Sequence, residues 1–121
     1  MIFLKSYFVA TTGQTDIIPI IHDVRFAIRD SQLKEGLVTV TLPDEQAALV
    51  VAAQVNKENL PNPQRSLSLP FKNGELVLEP KQMIFLIDEN SDAKRREFFV
   101  QVMGEKPAAA TTRGTPPRRP R

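Results

Sequence analysis

The stretch Ser66-Leu-Ser-Leu-Pro-Phe-Lys-Asn-Gly-Glu-Leu-Val-Leu78 constrains this chain more than any other. Asn73-Gly74 supplies the two positive φ angles of a type I′ turn, the connection whose twist matches two antiparallel strands. Residues 66–71 and 75–78 therefore read as the arms of a β-hairpin, and the rest of the chain has to supply the sheet around them.

Ile2-Phe-Leu-Lys-Ser-Tyr-Phe-Val-Ala10 is rich in β-branched and aromatic residues and reads as a strand, followed by the turn cluster Thr11–Thr15. Asp16–Ile21 is a second short apolar run. Pro19 has no N–H for a ladder, which places the run at a sheet edge or at the entry to a helix. From His22 the spacing becomes helical. Val24, Ala27 and Ile28 share one face, while Asp23, Arg25, Arg29 and Asp30 lie mostly on the other, predicting one main helix near residues 22–32. Asp23 suits the positive end of the helix dipole, and Gly36 is the expected left-handed residue at its exit.

Strands then return. Residues 37–42 alternate until Pro43, and Ala47–Ala53 is a continuous apolar run, expected to be a strand buried on both sides. Periodicity alone leaves a helical turn open there. Gln54–Gln64 is a polar, proline-containing loop, and Gln82–Asp88 with Arg96–Met103 is expected to pair across the loop 89–94. The order predicts an α+β fold, mostly antiparallel β-sheet with that one main helix.

Several chemistries are excluded by composition. There is no cysteine, hence no disulfide or thiolate, and one histidine, His22, too few for a two-histidine metal site within one chain. No apolar run approaches the ~20 residues of a membrane span. The opening Met-Ile-Phe-Leu-Lys-Ser lacks the features of a secretory signal, so a cytoplasmic location is expected. Residues 1–104 carry 11 Lys/Arg and 13 Asp/Glu, a net of −2, whereas residues 105–121 carry five basic residues and one acidic, a net of +4. The chain therefore divides into one domain over 1–104 and a Pro/Arg-rich tail over 105–121. That tail has too little apolar surface to offset ordering entropy and is expected to be disordered. A basic tail on an acidic body weighs against specific nucleic-acid binding.

"TTGQTDIIPIIHDVRFAIRDSQLKEGLVTVTLP" and "RSLSLPFKNGELVLEPKQMIFLIDENSDAKRREFFVQVMG" together resemble the YjbQ-like, or secondary thiamine-phosphate synthase, family over most of residues 6–104. Its members typically read "IIDIT-EV" at a helix start, "GLVTVFVP" followed by "HTTA" or "HTSA", and later "SL-IPI-NG-L-LGTWQGI-L-E". The resemblance implies the family's fold, a homotrimer with sites near subunit boundaries, and a histidine-ligated metal used in a thiamine-phosphate synthase-like activity.

The departures fall on that chemistry. After Pro43, Asp44 stands where the family has its metal-binding histidine, and Glu45 and Gln46 replace two hydroxyl residues. Ala52-Ala-Gln54 replaces "NEN", and a short loop replaces a longer stretch carrying "H-EGN---H". Of "GTWQGI", only Gln82 and Ile84 persist. These residues do not rebuild an imidazole site, so Asp44, Glu45 and Gln46 mark a vacated centre, with no metal, no cofactor and no catalytic residue expected.

Each remaining candidate has a plainer reading beside it. Asp44 and Glu45 suit acid–base work or a hard cation, but equally a solvated turn after proline, which is the reading adopted. His22 reads as a surface or capping histidine. Asp88–Asp92 alternates oxygen ligands without the glycine and bidentate glutamate of a calcium loop. Arg95 and Arg96 resemble closing arginines of the family. With Gln82 they form a candidate site for phosphate or another small anion, against the alternative of a basic pair facing Glu97 and Asp92. The function expected is that of a non-catalytic structural or interaction protein, with a residual synthase-like enzyme or phospho-ligand binder as the alternative.

Overall fold

The computed structural model describes residues 1–43, 47–56, 63–89 and 93–106. The elements run in the order β1 (Ile2–Ala10), β2 (Asp16–Pro19), α1 (Ile21–Ser31), β3 (Glu35–Thr41) and β4 (Ala47–Ala52). They continue with β5 (Ser66–Lys72), β6 (Glu75–Leu76), β7 (Met83–Asp88) and β8 (Arg95–Glu105). Two antiparallel sheets result: a five-stranded sheet in the order β1-β8-β3-β5-β6, and a three-stranded sheet in the order β2-β7-β4.

The Asn-Gly turn forms as its residues dictate, with φ of 56° at Asn73 and 77° at Gly74. It pairs Lys72 with Glu75. The second arm is shorter than expected, ending at Leu76, although the Val77 N–H still donates to the Pro70 carbonyl at 3.0 Å. β2, with its proline, is an edge strand as its missing N–H requires. In β4 the adjacent Leu49 and Val50 are both buried, so both faces of that strand are covered.

Two expectations are corrected. Segments 82–88 and 96–103 do not pair with each other. β7 is the central strand of the smaller sheet, between β2 and β4, whereas β8 lies between β1 and β3 in the larger one. Sequence adjacency suggested a hairpin, but both runs are apolar enough to occupy sheet centres, and each takes two non-local partners. The helix also ends earlier than Gly36. The Ser31 hydroxyl donates to the Ile28 carbonyl at 2.6 Å and accepts the Leu33 N–H at 3.1 Å, and Gln32 adopts the left-handed conformation at φ 61°.

Gly36 serves another purpose. It faces Gly104 across β3 and β8, and a Cβ on either would run into backbone, the Met103 carbonyl or the Glu35 carbonyl respectively. The paired strands approach here to a distance only glycine permits.

The core forms where α1 and the smaller sheet cover one face of the larger sheet. Val24, Ala27 and Ile28 of α1 meet Val38 and Val40 of β3, Phe98, Val100 and Val102 of β8, and Ile84 and Leu86 of β7. Alternation along β8 sends Arg96, Phe98, Val100 and Val102 inward and Arg95, Glu97, Phe99, Gln101 and Met103 outward. Each large apolar side chain buried this way is worth ~1.5–3 kcal/mol. β8 runs one residue past the expected boundary, ending at Glu105, and residues 107–121 of the expected tail lie outside the described residues.

Candidate functional site

Arg95 and Arg96 are neighbours in β8, and strand geometry sends their side chains to opposite faces. Arg96 is buried. Its Nε donates to Asp88 Oδ2 at 2.6 Å, and Nη2 reaches Asp88 Oδ1 at 3.4 Å. The two side chains are 5% and 1% exposed, so this is a desolvated pair joining the last residue of β7 to the start of β8. Nearby, Thr11 closes the same end of the molecule. Its hydroxyl donates to the Lys94 carbonyl at 3.1 Å and accepts the Lys94 N–H at 2.9 Å.

Arg95 points outward and holds its guanidinium carbon 3.9 Å from the centroid of the Phe8 ring. That guanidinium makes no hydrogen bond or ion pair among the described residues. Gln82 stands at the far end of β7 from Asp88, six residues away, or ~20 Å at the usual rise per residue. Its Oε1 accepts the Glu79 N–H at 3.3 Å, and its own N–H donates to the Glu79 carbonyl at 3.1 Å, which closes the turn 79–82. The three residues of the anion reading are therefore distributed over two faces of one sheet and the opposite end of the other.

Asp44, Glu45 and Gln46 lie outside the described residues, as does most of the Asp88–Asp92 run. His22 is exposed in the first turn of α1. Among the described residues no three His, Cys, Asp or Glu side chains gather closely enough to hold a metal ion. Also among them, no helix is long and apolar enough to cross a membrane.

Two features went unread in the sequence. The outer face of the larger sheet carries a row of apolar residues across four strands. Ile2 faces Met103, Met103 faces Leu37, and Leu37 faces Pro70. Ile2, Leu37 and Met103 are 63%, 49% and 44% exposed. At the next position Gln101, Thr39 and Ser68 are polar, with the Thr39 and Ser68 hydroxyls 2.8 Å apart, and Leu4 alone is apolar, before Phe99 and Phe8 toward the other end. The second feature is a cleft between α1 and the β5–β6 hairpin, lined by Arg25, Arg29, Gly74, Glu75 and Leu76.

No family model matches this sequence, and no curated protein does. Solved structures do match. A YbjQ-like protein of unknown function from Sulfolobus solfataricus P2 superposes with a TM-score of 0.75 at 19% identity, over 87% of this chain and 99% of that one. The fold is YjbQ-like. An uncharacterized conserved protein of the YjbQ family from Clostridium acetobutylicum agrees at 0.72 and 16%, over 82% of this chain and 99% of its own. A hypothetical protein from Aeropyrum pernix K1 agrees at 0.71 and 18%, over 85% and 99%. These matches take in nearly the whole of each solved chain and more than four fifths of this one.

Proposed function

We propose that this chain is a divergent, non-catalytic YjbQ-like protein that works in the cytoplasm as a structural or interaction component, assembled as a homotrimer. The observation carrying this reading is the outer face of the five-stranded sheet. Alternation along β1 and β3 would ordinarily place polar residues on a solvated face, yet Ile2, Leu4 and Leu37 stand there exposed. Contiguous exposed apolar surface of this kind marks contact with another molecule. A closed ring of three joins two different patches on each subunit. This face offers two: the Ile2–Met103–Leu37–Pro70 row at one end, and Phe8 with Phe99 at the other.

The loss of the family's metal chemistry rests on sequence. A catalytic zinc site takes three protein ligands, commonly imidazoles. His22 is the only imidazole in the chain, and Asp44, Glu45 and Gln46 occupy the positions of the family's histidine motif. The test is transition-metal content and solution mass measured on one purified sample. Metal well below one per chain and a mass of three chains support the reading, whereas a stoichiometric transition metal overturns its non-catalytic part.

A second reading, binding of phosphate or another small anion at Arg95, is favoured by one observation. The Arg95 guanidinium rests on Phe8 with no other side chain taking its N–H groups among the described residues. Arg96 and Gln82 were expected beside it, but Arg96 is engaged with Asp88. A phosphate-dependent rise in melting temperature that Arg95→Ala abolishes would carry this reading.

A further inference from the structure

The cleft between α1 and the hairpin has features of its own. Arg25 and Arg29 are one turn apart on the helix, so they share a face. Like charges at that spacing destabilise a helix slightly unless a counter-charge meets them. None does: neither guanidinium makes an ion pair or hydrogen bond among the described residues, and that of Arg29 stands 5.6 Å from the centroid of the Phe26 ring. Facing them is the Asn73-Gly74 turn, with Glu75 and Leu76.

A third cation lies close by. The Lys34 carbonyl accepts the Gly74 N–H at 3.0 Å, and the Lys34 ammonium stands 3.8 Å from where a Cβ on Gly74 would be. Lys34 lines a recess of about 270 Å³ that shares Arg29, Gly74 and Glu75 with the main cleft of about 460 Å³. Arg25, Arg29 and Glu75 thus line the main cleft, Lys34 joins Arg29 and Glu75 at the adjoining recess, and the larger of the two spaces is within the range of small-molecule sites. The glycine keeps side-chain bulk away from its floor. Guanidinium forks on one helix face match the paired oxygens of a phosphate.

We propose that this cleft binds the phosphate group of a small phosphate-bearing molecule through Arg25, Arg29 and Lys34. Its position on α1 is separate from Arg95, so it goes beyond the anion reading above. The space exceeds that needed by phosphate alone, and Leu76 offers one apolar wall. An organic phosphate therefore binds more tightly than inorganic phosphate, and each more tightly than chloride.

The experiment is titration of the full chain with inorganic phosphate, phenyl phosphate and sodium chloride, followed by amide NMR shifts. Saturable shifts at residues 25–34 and 73–76 are expected, with phenyl phosphate the stronger ligand. Arg25→Gln and Arg29→Gln should each weaken it about tenfold, and Glu75→Gln should tighten it. All three side chains are exposed, and circular dichroism confirms that the variants fold. Arg95→Ala should leave the affinity unchanged. Shifts that fail to saturate, that chloride reproduces, or that vanish with Arg95→Ala but survive Arg25→Gln and Arg29→Gln would overturn the assignment.

Discussion

Arg96 and Asp88 bring together two strands that belong to different sheets, through an Nε–Oδ2 contact of 2.6 Å with both side chains out of water. Removing one partner leaves a buried charge, so Arg96→Ala should cost about 3–5 kcal/mol in denaturant unfolding. Replacing both, as Arg96→Met with Asp88→Leu, should return stability to within about 1 kcal/mol of the parent or above it. A double variant as unstable as Arg96→Ala alone would show that this pair holds the sheets by more than charge cancellation.

Tyr7 packs its ring on Phe98 at 5.7 Å, and its buried hydroxyl has no hydrogen-bond partner among the described residues. Burial pushes the phenol above its ordinary 10.0, partly opposed by the nearby Lys5 ammonium. The folded state thus favours the neutral form. Tyr7 contributes stability that is fully present below pH 10.0 and lost as pH rises through the folded value. The chain has one tyrosine and no tryptophan, so ultraviolet titration reports this residue alone. The expected midpoint lies above 10.0, and Tyr7→Phe should flatten the alkaline loss of stability. A midpoint at or below 10.0 contradicts the burial argument.

Where β3 and β8 approach at Gly36 and Gly104, Gly104→Ala should destabilise by roughly 1–3 kcal/mol, since the added methyl meets the backbone carbonyl of Glu35 rather than a movable side chain. Gly74→Ala meets no such obstacle. Its cost, about 1 kcal/mol, comes from the positive φ of 77°. Thermal melts of the two variants should rank in that order, and the reverse order would mean that the strands separate easily at residue 104.

These positions show what was legible before the fold was known. Asn73-Gly74 was readable because a two-residue turn is decided by its own φ angles. Val24, Ala27 and Ile28 were readable because one helix face repeats locally. The partners of β7 and β8 were not, since strand choice is settled by which faces complete the core, and adjacency in sequence suggested the wrong pairing. Gly36 was noticed but given a helix-ending role, because its close neighbour lies sixty-eight residues away at Gly104. Among the candidate site residues, Arg95 and Arg96 looked like a pair on the page, yet consecutive positions in a strand face opposite ways. Arg25 and Arg29 were read only as lying on the helix face opposite the apolar one, and only the fold brings the hairpin beside them.

Assembly through the outer sheet face is the claim on which the functional reading turns, and sedimentation equilibrium tests it directly on the parent and on Ile2→Lys with Leu37→Lys. The account predicts a parent mass of three times 13.6 kDa, falling to a single chain in the variant while circular dichroism stays unchanged. A parent that is monomeric at every concentration, or a variant that still forms trimers, would contradict it.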